Sequence, residues 1–176
     1  QNIVLAQQGY PYFSLNFTPQ GEEALIWAIT RQESLFNAEA ESSAGAKGLM
    51  QLLPSTAKEV ARKNDLPFTP STLSDGAANV RLGDAYINQL VRQFDGSYIL
   101  AIASYNAGQG RARQWQKTYG DIGRTPEAAV DWIEGIPFSE TRNYVQRVLE
   151  NLQVYRTLQP KGKGNESAQL ERDLLR

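Results

Sequence analysis

The sequence predicts an all-α fold, a compact single domain of roughly seven to nine helices. Apolar residues recur three and four apart through most of the chain, the spacing that gives a helix one buried face. Helix-start signals stand before several of these stretches, at Pro54, Ser97, Thr125-Pro126 and Ser139. No segment longer than a few residues alternates apolar with polar side chains, and β-branched residues are scattered. Nothing therefore reads as a half-buried strand.

Taken in order, residues 1–20 are aromatic and polar, with Pro11 and Pro19 breaking any long helix. They read as a lead-in, packed on the domain or linking it to something upstream. The domain itself is expected over 21–158. Leu25, Ile26 and Ile29 recur at helical spacing with Trp27 beside them, which predicts a helix over Glu22–Leu35, at least half buried. Small residues and glycines from Ser42 to Gly48 predict a turn. Gly48–Leu53 reads as a short helix. Pro54 suits the first turn of the next, through about Lys63, because its missing N–H costs nothing there. Pro67 and Pro70 mark a loop. Ala78, Leu82, Ala85, Leu90 and Phe94 make Asp75–Phe94 a long amphipathic helix.

Ser97 can cap a helix over Tyr98–Asn106, whose run Ile99-Leu100-Ala101-Ile102-Ala103 is apolar all round and belongs at a domain centre. Ala107-Gly108-Gln109-Gly110 stops it, and Arg111–Gln116 resumes as a short helix. Thr125-Pro126-Glu127 opens another. Ser139 caps a last long helix that carries Tyr144, Val148, Leu152 and Tyr155 on one stripe. Pro160 to Gly164 reads as a flexible break, and 159–176 as a flexible, polar tail.

Composition narrows the chemistry. A chain of 176 residues is about one domain, large enough to bury a core with a cleft beside it. At 41% hydrophobic and 21% charged residues, it is globular rather than disordered. With no Cys and no His, thiol nucleophiles, imidazole bases and His- or Cys-based zinc sites are excluded. Catalysis must rest on Asp, Glu, Lys, Tyr, Ser or Thr. A net charge of −1 gives no basic footprint for nucleic acid. No apolar run reaches the ~18 residues of a membrane span. The first eight residues carry no basic stretch followed by an apolar core, so no export signal is visible in them.

Glu33 is the most informative residue. It stands four after Ile29, seven after Ile26 and eight after Leu25, and so shares their face at the helix end. A carboxyl held against apolar surface is disfavoured in its charged form, and its pKa rises. Such a group can give a proton to a glycosidic oxygen and then act as a base. An ion pair with a buried Arg, or a backbone cap, would explain a lone Glu equally well.

The surrounding residues weigh against that plainer reading. Arg31-Gln32-Glu33-Ser34-Leu35-Phe36-Asn37, followed by the run from Ser42 to Ala57 with Gly45-Ala46-Lys47-Gly48-Leu49-Met50-Gln51-Leu52, closely resembles the signature of the soluble lytic transglycosylases. These share a glycoside hydrolase grouping with goose-type lysozymes. Two further blocks agree in order, Ala103-Ser104-Tyr105-Asn106-Ala107-Gly108-Gln109-Gly110 and Ile136-Pro137-Phe138-Ser139-Glu140-Thr141-Arg142-Asn143-Tyr144-Val145. The resemblance spans about residues 22–157.

It implies a lysozyme-like helical domain with a glycan-binding groove. It also implies cleavage of the β-1,4 bond between N-acetylmuramic acid and N-acetylglucosamine, leaving a 1,6-anhydromuramic acid end. Glu33 maps to the family's sole catalytic carboxylate, first acid and then base. Ser42 would bond the substrate N-acetyl group or hold Glu33, and Gln51 would reach the sugar beside the cleavage point. Met50 would pack and line the groove. Tyr105 would hydrogen-bond and orient Glu33, Glu140 would support the site without acting as nucleophile, and Tyr144 would line groove or core. Trp27, Trp115 and Trp132 are candidates for stacking on sugars.

No cofactor and no metal are implied. The expected partner is peptidoglycan, as glycan strands or muropeptides, together with an upstream helical region or other cell-wall enzymes, in the periplasm or cell envelope. Two alternatives stay open: a lysozyme that admits water, with Asp75, Asp84 or Asp95 reaching the cleft, and a non-catalytic glycan-binding domain.

Overall fold

Helix α1 (Glu23–Ser34) is buried from Ala24 through Thr30, in keeping with the expected helix at least half buried. It belongs to a computed structural model that describes residues 9–158 and 169–175. After α1 come α2 (Pro54–Lys63), a short 3-10 turn (Pro70–Ser74), α3 (Gly76–Gln93), α4 (Tyr98–Ala107) and α5 (Gln109–Tyr119). Then follow α6 (Pro126–Glu134), α7 (Ser139–Leu158) and the short α8 (Leu170–Leu174). Among the described residues, the only β pairing is two isolated bridges, Glu41 with Lys47 and Lys47 with Leu52. The fold is all-α, as expected.

Local chemistry accounts for most helix ends. The Ala78 N–H donates to Asp75 Oδ1 at 2.8 Å, the Leu100 N–H to Ser97 Oγ at 3.4 Å, and the Ala128 N–H to Thr125 Oγ1 at 3.2 Å. Each cap satisfies an orphan donor of the first turn. Pro54 and Pro126 stand in the first turns of α2 and α6. Ser139 is already helical; the Arg142 N–H closes the first turn on the Phe138 carbonyl at 2.9 Å. Helix α5 runs beyond the expected Arg111–Gln116, starting directly after Gly108, whose φ of 89° breaks the path from α4.

Gly48–Leu53 is not the short helix expected from its apolar run. Lys47 and Leu52 exchange backbone hydrogen bonds at 3.0 and 3.1 Å, which closes residues 48–51 into a turn. Gly48 and Gln51 hold φ of 78° and 46°, left-handed values that no α-helix contains. Leu49, Met50 and Leu52 are buried because the turn is inserted into the core, not because they lie on a helix face.

Two packed clusters build the domain. The larger gathers α1, α4 and α7, and the smaller joins Leu52, α2, Leu73 and the Leu82–Ala85 side of α3. Tyr86 and Tyr105 pack against both and so mark the seam between them. The largest helix contact is α1 on α7. The two run antiparallel, since Glu22 at the head of α1 meets Arg156 late in α7 while Glu33 at its foot meets Tyr144 early in α7.

Part of the expected lead-in is laid on this pair. Phe13 meets Trp27 edge-on at 4.8 Å, Arg31 stacks on Tyr10 at 4.1 Å, and the Tyr155 hydroxyl donates to the Pro11 carbonyl at 3.0 Å. Residues 1–8, 159–168 and 176 lie outside the described residues. Of the segment expected as a flexible tail, 170–174 form α8, with Asp173 and Leu174 buried against the domain.

Candidate active site

Glu33 sits one residue before the end of α1, where the chain leaves the helix abruptly. Leu35 and Phe36 hold φ of 51° and 66°, left-handed for two consecutive non-glycine residues. Each costs of order 1 kcal/mol, the kind of local strain that persists only where its surroundings impose it. Two contacts impose it here. The Ser34 hydroxyl donates to the Leu49 carbonyl at 2.7 Å, and the Phe36 ring packs on Trp27 at 6.1 Å. The helix end is thereby pinned to the 48–51 turn.

The carboxyl of Glu33 is half-buried, and its Oε1 accepts a 2.5 Å hydrogen bond from the Tyr144 hydroxyl on α7. Burial pushes its pKa up from 4.5 to about 7; the Tyr144 bond pulls the other way, and the nearby charge of Glu140 adds to the rise. Glu140 and Tyr144 are four apart on α7 and lie on one face. Burial and the Glu33 charge both raise the tyrosine pKa values of Tyr144 and Tyr105, so these hydroxyls stay protonated. The result is a half-buried carboxyl whose acid form is favoured well above the usual carboxylate range.

The other expected residues divide. Tyr105 does not bond Glu33: its hydroxyl donates to the Met50 carbonyl at 2.8 Å, and the role expected of it falls to Tyr144. Met50 is fully buried, so it is core rather than groove wall. Its sulfur occupies the space above Gly83, where an added Cβ would lie 2.2 Å from it. Gln51 spends its amide donors on the carbonyls of Ala40 and Gly48, both at 2.9 Å, and retains its side-chain oxygen as an acceptor. Ser42 is exposed in its turn, where its hydroxyl accepts from the Ala46 N–H at 3.0 Å. Trp27, Trp115 and Trp132 are all buried at 6% exposure or less, which makes them core residues.

A cavity of about 550 Å³ opens beside Glu140, lined among others by Asn106, Arg111, Phe138 and Thr141. The Arg111 guanidinium stacks on Phe138 at 4.4 Å, and Trp115 supports that ring edge-on at 5.5 Å. Thr141 donates to Asn106 at 2.7 Å and ties α7 to α4 across the cavity floor. Sequence reasoning missed Arg111 and Phe138 as a pair. Their only sequence signal was Phe138 lying inside the block that holds Glu140. Two of the candidate aspartates are engaged elsewhere: Asp75 caps α3, and Asp84 accepts from the Gln20 N–H and Asn88. Asp95 is exposed in the α3–α4 turn, where its backbone N–H donates to the Arg92 carbonyl.

Replacing Tyr144 with Phe removes the one interaction that favours ionised Glu33. We expect the basic limb of the pH–rate profile to move upward and kcat at neutral pH to fall about tenfold, because the base form is harder to reach. A limb that stays in place or moves downward would show that the 2.5 Å bond does not govern this carboxyl.

Comparison with known proteins shows the family. Residues 15–126 match the transglycosylase SLT domain, and residues 135–164 match the soluble lytic transglycosylase helical domain. Over 136 residues, 76% of this chain, it is 41% identical to the soluble lytic murein transglycosylase of Escherichia coli K12 and covers 20% of that protein. A putative soluble lytic murein transglycosylase of Haemophilus influenzae is 43% identical over 136 residues, again 76% of this chain and 22% of the relative. The chain thus spans about a fifth of the length of these curated relatives. Among solved structures, an inactive mutant of the lytic transglycosylase Slt from Pseudomonas aeruginosa aligns with a TM-score of 0.71 at 41% identity, covering 89% of this chain and 23% of that one. The 70 kDa soluble lytic transglycosylase of Escherichia coli aligns at 0.75 and 33% identity, covering 96% and 26%. The chain belongs to the transglycosylase SLT domain family.

Proposed function

We propose that this domain is a lytic transglycosylase that cleaves the β-1,4 bond between N-acetylmuramic acid and N-acetylglucosamine in peptidoglycan and leaves a 1,6-anhydromuramic acid end. The observation that carries the reading is one carboxyl, Glu33, raised to about 7 and held by Tyr144. Protonated Glu33 gives its proton to the departing glycosidic oxygen while positive charge grows at the anomeric carbon. The muramic N-acetyl carbonyl stabilises that carbon in place of an enzyme nucleophile. Ionised Glu33 then takes the proton of the same sugar's C6 hydroxyl, whose oxygen closes on the anomeric carbon. Attacker and target share one ring, so the step gains from proximity and needs no water.

An ordinary glycosidase needs a second carboxyl, about 5–5.5 Å away as nucleophile or about 6.5–9.5 Å away to activate water. Here the engagement of Asp75 and Asp84 elsewhere favours the anhydro route. Burial is the main cause of the raised Glu33 pKa, and Glu140 serves as a nearby charge that adds to it. Ser42 and the free oxygen of Gln51 are the polar groups assigned to hold the N-acetyl and neighbouring sugar. A substrate of this kind places the domain in the periplasm or cell envelope, with an upstream helical region or cell-wall enzymes as its protein partners. Among the described residues, no helix is long and apolar enough to cross a membrane.

The Pseudomonas aeruginosa neighbour was inactivated by one Glu-to-Gln substitution, which supports chemistry that rests on a single glutamate. Mass analysis of digested peptidoglycan tests the proposal. Muropeptides lighter than hydrolysed products by one water are expected, and exclusively reducing muramic ends would overturn the anhydro route.

A further inference from the structure

The Tyr105 hydroxyl donates to the Met50 carbonyl instead of the carboxyl it was expected to serve, and the reason lies in a buried side chain on α3. Asn79 is fully buried and makes three hydrogen bonds. Its Oδ1 accepts from the Met50 N–H at 2.9 Å, and its Nδ2 donates to the carbonyls of Lys47 at 2.9 Å and Leu73 at 3.1 Å. All three tie the 47–50 turn and the 3-10 segment to α3. The turn carries the Met50 carbonyl that accepts from Tyr105 and the Leu49 carbonyl that accepts from Ser34, the residue next to Glu33. The fit leaves no slack: a Cβ on Gly48 would lie 2.3 Å from Asn79 Nδ2. A buried amide could satisfy itself in many ways, but this one fixes the carbonyl that occupies a tyrosine beside the acid.

We propose that Asn79 is a positioning residue for the cleavage: by fixing the Met50 backbone it gives Tyr105 an acceptor other than Glu33, and leaves Tyr144 as the carboxyl's hydrogen-bonding tyrosine. The inference rests on Glu33 being the acid of the proposed function. Its physical content is a count of donors. Each hydrogen bond to a carboxylate favours the ionised form, and Tyr144 already supplies one. A second from Tyr105 would lower the carboxyl further and drain the acid form at neutral pH. The groups that face Glu33 and take part in this balance are Tyr144 and Glu140 on α7 and Tyr105 on α4. Tyr86 on α3 lies behind Tyr105, its ring 5.0 Å away.

The test follows the Glu33 side-chain carboxyl carbon by NMR titration, which needs no turnover and stays informative even where the reaction differs from the one proposed. The wild-type midpoint is expected near 7. In Asn79→Ala, Tyr105 is freed to turn onto Glu33, and the midpoint falls by roughly one pH unit. In Asn79→Ala/Tyr105→Phe no hydroxyl remains to turn, and the midpoint returns to the wild-type value. Tyr105→Phe alone leaves it in place. Should Asn79→Ala not fold, Asn79→Ser gives a smaller fall that Tyr105→Phe again abolishes. A midpoint that rises in Tyr105→Phe would show Tyr105 bonding Glu33 in solution and overturn the proposal. So would an unchanged midpoint in a folded Asn79 variant, or a fall that persists without the Tyr105 hydroxyl. A merely structural Asn79 would lower the melting temperature without this dependence on Tyr105.

Discussion

Glu33→Gln is expected to lose about 10³-fold in kcat on peptidoglycan while its affinity for glycan stays within about threefold of wild type. The loss corresponds to about 4 kcal/mol of transition-state stabilisation. The amide matches the carboxyl in size and can still accept from Tyr144, so the 2.5 Å contact and the α1–α7 packing survive. It cannot protonate a leaving oxygen or take a proton from the C6 hydroxyl. Both halves of the proposed reaction therefore fail through one atom change. Binding by equilibrium dialysis with a muropeptide and turnover by product mass analysis check the two sides. Turnover within tenfold of wild type would remove Glu33 from the mechanism.

The same variant makes a second, opposite prediction for stability. The folded-state pKa of Glu33 lies above its ordinary value of 4.5, at about 7. Between those values the folded protein holds more protons than the unfolded chain, so stability falls as pH rises through that window. Glu33→Gln does not titrate and escapes the fall. Its melting temperature should equal that of wild type near pH 4 and exceed it near pH 8. Equal melting temperatures at both ends would mean that the carboxyl is not held in a dry site at all.

How much of this was legible beforehand depended on whether a feature was local. Asp75, Ser97, Thr125, Pro54 and Pro126 mark helix starts through contacts within one turn, so they could be read from the sequence alone. The Glu33 face was legible for the same reason, because Leu25, Ile26 and Ile29 share it. The 48–51 turn was not. Its left-handed Gln51 and buried Met50 are set by Asn79, 29 residues further on, and by the space left over Gly83. Periodicity assigns an apolar run to a helix unless a distant partner bends it. The exchange of Tyr105 and Tyr144 has a similar origin. Each lies near a helix end, and which hydroxyl reaches Glu33 depends on how α7 lies along α1. Of the residues expected around the acid, Glu140 and Tyr144 are brought to it, while the Ser42 hydroxyl and the Gln51 amide donors engage their own backbone.

At the other end of α1, Arg156→Ala is expected to cost about 3–5 kcal/mol of folding stability. The Arg156 side chain is 4% exposed and bridges Glu22 before α1 to Asp173 on α8, which is not exposed at all. It reaches Glu22 through Nε and a 2.8 Å bond from Nη2, and Asp173 through Nη1 and a 2.9 Å bond from Nη2. Tyr98 and Gln153 complete the set by donating to Glu22 and Asp173 at 3.1 and 2.7 Å. Burial opposes the charge of Arg156, but its two carboxylate partners outweigh that and hold its pKa above the ordinary value. Removing the guanidinium leaves Asp173 buried beside Glu22 with no counter-charge, and that uncompensated charge is what makes the variant unstable. The pair itself need contribute little. Arg156→Met combined with Asp173→Leu and Glu22→Gln, which takes out the charges together, should recover most of the loss. Urea unfolding of both variants checks this, and a single Arg156→Ala within about 1 kcal/mol of wild type would refute it. Because Glu22 is eleven residues from Glu33, about 16 Å along α1, the folded fraction of Arg156→Ala should keep the wild-type kcat. A stability loss that leaves turnover intact would separate the anchoring end of the helix from its catalytic end.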